Sequence, residues 1–173
     1  MSGSKARVIS ARPLTAEDWA PFGWLPVADT DPRDREFTYE FTLGDPHVNV
    51  IAHSPDEVDR VGGRLVCERL YRHDTHTQTL LALDAVSVIV VAPAATTFGS
   101  RGDLDEVRAF VVRPLDGFAL ARGTWHWGPF PISHTPVHLW NVQGKRYAED
   151  NRCADLGELL QTNFEIPVLE ISE

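Results

Sequence analysis

The chain has 173 residues, 43% of them hydrophobic and 24% charged, with a formal net charge of −9 and a pI near 5.2. This length and composition are typical of a single globular domain, here residues 1–173, with a sizeable core. An acidic chain without a basic cluster repels phosphate backbones, so we exclude nucleic acid as a partner.

The cysteine pattern and the N-terminus predict a cytoplasmic protein. Cys67 and Cys153 lie far apart and form no CxxC pair, and the opening "MSGSKARVIS" lacks the apolar core of a signal peptide. The apolar window 80–98 contains Asp84, Ser87 and Pro93, so we interpret it as core strands. The sequence therefore predicts no membrane partner.

The first predicted element is a short helix within residues 14–23, "LTAEDWAPFG", with Thr15 as N-cap, Asp18 at the capping-box position and Gly23 as its end. Predicted strands then follow, separated by turn signals: "FTYEFTL", "HVNVIAH", "GRLVCERLYRH", "TQTLLAL", "VSVIVVAP", "VRAFVV", "GFALA" and, later, "VHLWNVQ". "CADLGELLQ" predicts a second helix. Many short strands without helices between them favour an all-β sandwich or barrel.

The stretch 71–84, "YRHDTHTQTLLALD", places polar side chains where a buried strand begins. Because strand side chains alternate, His76 and Gln78 share one face and Thr77 takes the other. His73 joins His76 only if the chain bends near Asp74. This cluster predicts ligands for a divalent metal or a small polar substrate; the alternative is a strand start with surface histidines.

In "RGTWHWGPFP", residues 122–131, Trp125 and Trp127 share one face of a strand and His126 takes the other. A histidine between two tryptophans needs a polar partner, which a backbone carbonyl can supply. Combined with the cluster at 73–78, however, His126 fits a distant ligand or base of a barrel site.

Arg108 in "VRAFVV" alternates with apolar neighbours. If it points inward it can clamp a substrate carboxylate, and otherwise it is a surface arginine. The pairs His47 with Asn49 and Asn141 with Gln143 are further candidates for the barrel interior. We find no phosphate-binding loop and no nucleophile elbow.

Four ordered motifs resemble the ureidoglycolate lyase family: "LTAEDWAPFGWLPV", "RHDTHTQT", "VRAFVV" and "GTWHWGPF". The resemblance runs from about Leu14 to Val142. It implies a cupin-like double-stranded β-helix (a jelly-roll barrel) with short N- and C-terminal helices, usually a homodimer. It also implies cleavage of ureidoglycolate to glyoxylate and urea in the breakdown of allantoin, a purine product. The site residues carried over by position are His73, Gln78, Arg108, Trp125 and His126.

The chain also departs from that family's pattern. Tyr71 replaces an acidic residue, His76 a small residue and Trp127 a second histidine, and Gln143 and Gly144 stand where Asp-Arg is usual. These changes rebuild part of the pocket, so the chain resembles a divergent member whose substrate differs.

The first functional hypothesis is a lyase acting on a small, carboxylate-bearing 2-hydroxy acid with an amide or urea nitrogen. His126 or His73 would be the base, and Arg108 would hold the carboxylate. The other proposed substrate contacts are Trp125, Trp127 and Gln78. A divalent transition metal would be bound by residues drawn from His73, His76, Gln78 and His126.

Two alternatives remain open from the sequence. One is a metal-dependent cupin enzyme of another class, such as an isomerase, hydrolase or oxygenase with a tailoring role, which the additional His76 favours. The other is a non-enzymatic module that binds a small ligand between the tryptophans.

Overall fold

The computed structural model of the protein describes residues 6–35, 41–168 and 171, which fold mainly into β-strands. The strands are β1 (Arg7–Val8), β2 (Ala11–Pro13), β3 (Gly23–Trp24), β4 (Pro46–His53), β5 (Arg60–Val61), β6 (Arg64–Cys67), β7 (Arg69–Arg72), β8 (Gln78–Ala82), β9 (Ser87–Ala92), β10 (Arg108–Val112), β11 (Gly117–Leu120), β12 (Trp125–Pro131), β13 (Val137–Gly144), β14 (Arg152–Asp155) and β15 (Phe164–Pro167). The helices are α1 (Ala16–Trp19), α2 (Leu156–Leu160) and 3-10 turns at Pro32–Arg35, Pro55–Glu57 and Arg101–Glu106.

Two sheets form the barrel. One has the order β3-β11-β8-β13-β4 and the other β14-β7-β12-β9-β10-β2. A third sheet, β1-β15-β6-β5, accompanies them. Most neighbouring strands are antiparallel; β1 with β15 and β2 with β10 are parallel. This architecture confirms the predicted all-β, cupin-like double-stranded β-helix.

Strand β9 shows how the layers are arranged, because every residue in it is buried. Val88 and Val90 pack into a core on the outer side of the six-stranded sheet, together with Trp125, Trp127 and β15. Ile89 and Val91 face the barrel interior. A strand covered on both faces reads as a continuous apolar run, which is what "VSVIVVAP" predicts.

Trp19 of α1 fills part of the barrel interior. It is fully buried, donates Nε1–H to the carbonyl of Ala119 at 3.0 Å, and contacts Phe110 and Phe118 edge-on, each at 5.2 Å between ring centroids. Edge-to-face aromatic packing of this kind stabilises a core beyond the area that it buries. A cavity lies beside β4, β7, β8, β12 and β13.

Several element boundaries differ from the sequence prediction. Thr15 caps α1 and accepts from Asp18 N–H at 3.2 Å, as predicted, but the helix ends at Trp19, with Ala20 as its C-cap, and Gly23 begins a strand. The second helix is shorter than predicted, because residues 152–155 form β14. In the predicted strand "FTYEFTL", residues 37–40 lie outside the described residues and 41–43 are not in a strand. None of the helices in the described part of the chain is long and apolar enough to cross a membrane.

Candidate active site

A cavity of about 430 Å³ opens on one side of the barrel. Its inner wall is polar on one side and apolar on the other. The polar residues are His53, Tyr71, His73, Gln78, His126 and Gln143, and the apolar ones include Ile51, Leu80, Trp127, Phe130 and Leu139. We call the exposed lining residues the mouth of the cavity: Glu57, Asp59, Glu68, Arg69, Tyr147 and Asn151.

Three histidines meet at the polar side. Because β7 ends at Arg72 and β8 begins at Gln78, the chain bends between them. The bend stacks the rings of His73 and His76, whose centroids are 4.5 Å apart, and His126 lies 5.4 Å from His73. The bend near Asp74 on which the histidine cluster depended is therefore present.

Asp150 fixes this bend. Its carboxylate accepts the backbone N–H of Asp74 at 3.1 Å and both the N–H and the hydroxyl of Thr75, at 2.7 and 2.6 Å. Burial raises the pKa of Asp150, but these hydrogen bonds outweigh burial and leave the pKa below its ordinary value. A charged Asp150 therefore holds the His73–His76 turn in place.

Backbone carbonyls set the protonation of two imidazoles. Nδ1 of His73 lies 2.7 Å from the carbonyl oxygen of Asp150, and Nδ1 of His126 lies 3.0 Å from that of Thr124. A carbonyl can only accept, so each Nδ1 carries the proton and each Nε2 of the neutral ring has a free lone pair. Burial, and secondarily the neighbouring His73, lowers the pKa of His126 to about 4. His126 is therefore neutral at neutral pH and can act as a base or a ligand through Nε2.

His76 is buried, with 4% of its surface exposed. Its Nδ1 lies 3.3 Å from the carboxylate of Asp150, while its Nε2 is buried without a hydrogen-bond partner among the described residues. Burial, followed by the nearby His73, lowers the pKa of His76 against the opposing effect of Asp150. A buried imidazole nitrogen without a partner is available to a ligand or a metal ion.

Three amides form what we call the amide chain across neighbouring strands. Gln78 donates Nε2–H to Oδ1 of Asn141 at 2.9 Å, and Asn141 donates Nδ2–H to Oδ1 of Asn49 at 2.7 Å. Asn141 is fully buried and Gln78 is 7% exposed. With its amino group committed to Asn141, Gln78 is left with Oε1, which accepts no hydrogen bond within the described part of the chain. Gln78, a lining residue of the cavity, thus carries a buried acceptor that no described residue uses.

The structure brings together most, but not all, of the residues predicted from the sequence. His73, Gln78, His126 and Trp127 line the cavity, whereas His76 packs behind His73 and does not. Trp125 lies outside the cavity and donates Nε1–H to the carbonyl of Thr96 at 2.8 Å.

Arg108 also lies outside the cavity, so the predicted carboxylate clamp is not formed there. It starts β10, which pairs with β9 and β2, and its guanidinium donates to the backbone carbonyls of Asp105 and Val107, at 2.5 and 2.9 Å. The alternative interpretation of Arg108, as a surface arginine with local partners, is the one that the structure supports.

Asp150 is the main site residue that sequence reasoning missed. It lies in "KRYAEDNRC", an irregular polar segment with no periodic pattern, and reaches the histidines only through the fold. Tyr147, from the same segment, lines the mouth of the cavity. Strand alternation in "VHLWNVQ" did indicate that Asn141 and Gln143 share a face, and both are buried.

A group of potential metal ligands is present. His73, His76 and Asp150 each offer one ligand atom, and these atoms lie within 4.8 Å of one another. Two imidazoles and a carboxylate suit a divalent transition metal, and the unpartnered His76 Nε2 is consistent with such a role. The group shares His73 and His76 with the predicted set, and Asp150 joins them; Gln78 and His126 lie on the cavity wall.

The fold and the site define a cupin-like protein with a histidine- and amide-lined cavity. The sequence profile of the ureidoglycolate lyase family matches residues 35–163. The chain therefore belongs to the ureidoglycolate lyase family. The search of curated proteins found no match.

Solved structures that resemble the protein do so only distantly. A dTDP sugar isomerase from Desulfovibrio desulfuricans is 12% identical with a TM-score of 0.44, over 79% of this chain and 77% of that one. A variant of Bacillus subtilis oxalate decarboxylase is 10% identical with a TM-score of 0.42, over 66% of this chain. The oxalate decarboxylase from Lactobacillus farciminis, in a formate complex, is 11% identical with a TM-score of 0.42, over 69% of this chain and 31% of that one. The chain spans 25% of the Bacillus protein.

Proposed function

We propose that the protein is a lyase that cleaves the C–N bond of a small ureido or amido compound bearing a hydroxyl on the same carbon, with ureidoglycolate as the reference substrate. The observation that supports this proposal is that one cavity is lined both by a neutral imidazole, His126, and by Gln78, whose amide oxygen Oε1 has no hydrogen-bond partner among the described residues. The first group can take a proton and the second can hold an N–H.

His126 is the proposed base. Its lone pair on Nε2 takes the hydroxyl proton, the carbonyl forms, and the C–N bonding electrons move to nitrogen. The same imidazolium then returns the proton to the departing nitrogen, so protons and electrons balance. The lowered pKa favours this second transfer, because a weakly basic imidazole releases its proton readily.

Gln78 is the proposed contact for the leaving group. A urea or amide nitrogen carries N–H donors that match Gln78 Oε1, whose position is fixed by the amide chain. An acceptor held rigidly in advance orients the scissile bond at little entropic cost. His73, whose Nδ1 lies 2.7 Å from the backbone carbonyl oxygen of Asp150, lines the same cavity.

We also propose that His73, His76 and Asp150 hold a divalent transition metal. When bound, such an ion would act as a Lewis acid toward a substrate oxygen. Metal analysis of the purified protein tests this. His76→Ala should lower bound metal well below one ion per chain, whereas Thr77→Val should not, because the hydroxyl of Thr77 donates to the carbonyl of Thr42 and Thr77 is not one of the potential ligands. Equal metal content in the two variants would remove His76 from the site.

A metal-dependent enzyme of another reaction class is the second candidate. The observation that favours it is the same buried His76, since a two-histidine, one-carboxylate group suits open-site transition metals. Metal bound at one ion per chain, together with absence of C–N cleavage in the metal-loaded protein, would support this candidate over the first.

The protein is further proposed to be a homodimer. The outer face of the five-stranded sheet exposes Val48, Val50 and Trp140, with exposed fractions of 55%, 56% and 41%, and β-sheet pairing places Val50 opposite Trp140. Exposed apolar faces of this kind commonly mark protein interfaces. Light scattering should give twice the chain mass, and Val50→Lys should give the monomer.

The test of the lyase proposal is an assay of ureidoglycolate, and of its relatives with other amide groups, with urea or amide release and carbonyl formation measured together. Stoichiometric release of both products, lost in a His126→Ala variant that still folds, supports the proposal. A carbonyl product without nitrogen release would refute it.

A further inference from the structure

The mouth of the cavity is acidic. Glu57, Asp59 and Glu68 line it and are exposed. Burial opposes ionisation of Glu57, but hydrogen bonds from the N–H of Ser54 and from His53 lower its pKa. Asp59 and Glu68 form no ion pair within the described residues. At least two of these carboxylates therefore face solvent and the cavity without compensation.

The positive charge available to this surface is small. Arg69 is the arginine that lines the cavity, and its Nε donates to the carboxylate of Asp155 at 2.8 Å. Arg108, which the sequence suggested as a carboxylate clamp, lies elsewhere in the fold. The carboxylates at the mouth would repel a carboxylate that enters the cavity, and Arg69, already paired with Asp155, would offset this repulsion only in part. A cation would be attracted.

The interior of the cavity indicates that this charge serves a ligand. Gln78 is more than nine-tenths buried, lines the cavity and leaves Oε1 without a hydrogen-bond partner among the described residues. Apolar side chains, including Leu139 and Phe130, line the other wall. An amide N–H bound at Gln78, a short aliphatic segment along the apolar wall and a cation at the mouth would match all three surfaces.

We propose that the arm of the substrate that does not react carries a positive charge in place of the carboxylate of ureidoglycolate. The substrate class is then an amine-bearing ureido or amido compound. This inference rests on the proposed function for the identity of the reacting group, but the charge preference is a property of the cavity that binding alone reveals. Tyr147, at the mouth, adds an aromatic face that also favours a cation.

The test uses two matched series of small amides as probes: glycinamide, β-alaninamide and 4-aminobutanamide, which are cations, and oxamate, malonamate and succinamate, which are anions. Butanamide serves as the neutral reference. Dissociation constants are measured by NMR titration in about 50 mM and about 500 mM salt. We expect the best cation to bind about tenfold more tightly than its anionic counterpart at low salt, and salt to narrow the difference.

Variants test whether the carboxylates at the mouth cause the preference for cations. Asp59→Asn with Glu68→Gln should abolish the preference for cations while leaving butanamide binding unchanged. The control is Asp56→Asn, an exposed carboxylate in the same 3-10 turn as Glu57 that does not line the cavity, which should preserve the preference. Thermal unfolding confirms that the variants fold.

Equal or tighter binding of the anions, or no binding by either series, overturns the inference. Its failure is distinct from failure of the proposed function. Efficient turnover of ureidoglycolate with tighter binding of succinamate would sustain the lyase and refute the cationic arm. A preference for cations without cleavage of any ureido compound would sustain the cationic arm and refute the lyase.

Discussion

The imidazole of His76 occupies the space that a side chain at Gly144 would need. A Cβ atom at position 144 would lie 2.8 Å from Cγ of His76 and 2.9 Å from its Nδ1, closer than folded proteins allow. Both positions depart from the pattern of the family that the sequence resembles, in which 76 is small and 144 is an arginine. The missing side chain at 144 makes room for the imidazole at 76, so the two departures act as one change.

Gly144→Ala should therefore destabilise the protein by about 1–3 kcal/mol, the usual cost of overpacking. The same substitution in a His76→Ala background should cost much less, because the ring is gone. Urea unfolding of the two single variants and the double variant measures this coupling. Gly102→Ala is the control, since its Cβ would meet only Ser100 Oγ at 3.5 Å. An equal cost in both backgrounds would mean that the backbone carbonyl of Leu43, at 3.0 Å, is the obstacle.

His126→Ala should lower turnover by about 100-fold or more, the usual range for a general acid–base group, while the protein stays folded. The reason is that, in the proposed reaction, the lone pair of His126 takes the proton of the substrate hydroxyl. Steady-state kinetics on whichever ureido substrate proves active gives the measurement. His134→Ala, at an exposed loop position, is the control and should keep wild-type turnover. Retained activity in His126→Ala would exclude it as the base.

The stability of the protein should fall with acidification between pH 6.5 and about 4. His126 has a pKa of about 4 in the folded protein against an ordinary value of 6.5, so across this window the unfolded chain binds a proton that the folded chain does not. The contribution of His126 to the free energy of unfolding is fully present above pH 6.5. As the pH falls, the protein loses at most about 3 kcal/mol of stability from this residue. Urea unfolding at about pH 7 and about pH 5 should show the loss, and His126→Asn should reduce it. A variant with an unchanged slope would assign the loss to other groups.

Trp127→His restores the histidine of the family pattern at a residue that lines the cavity. We expect the native protein to release urea from ureidoglycolate slowly, well below a typical turnover on the order of 10 per second, because an indole offers one donor where histidine offers an acceptor and a titratable group. The variant should release urea faster.

Trp125→His is its matched control, since Trp125 belongs to the same strand and core but lies outside the cavity. Both variants lose core packing, so both should melt at lower temperature, but only the change at 127 should alter substrate preference. Fast urea release by the native protein would contradict the idea of a changed substrate.

Strand alternation in the sequence was sufficient to predict part of the inward face of β8, β12 and β13. A period of two is a local property, and both Gln78 and His126 line the cavity. The same alternation grouped His76 with Gln78, but His76 lies in the bend before β8 and does not line the cavity. It also set Trp127 opposite His126, whereas both residues line the cavity.

Alternation alone could not show whether a polar residue on a strand points into the barrel or toward solvent, so the orientation of Arg108 stayed open. Asp150 was beyond its reach, because contact with Thr75 requires the fold to bring together residues 75 positions apart in the chain.

The amide chain has a consequence for how the cavity can evolve. Each amide must donate in one direction and accept from the other, so the three dipoles are ordered head to tail from β8 through β13 to β4. Asn49, at the far end on an edge strand of its sheet, therefore decides which end of Gln78 a ligand meets. A residue at 49 that can only accept preserves this order, whereas one that can only donate reverses it and converts the cavity from an acceptor of N–H groups into a donor to carbonyls. A substitution at position 49, two strands away from Gln78, can thus change whether the cavity prefers a ligand that donates or one that accepts a hydrogen bond. No residue that touches the ligand needs to be replaced.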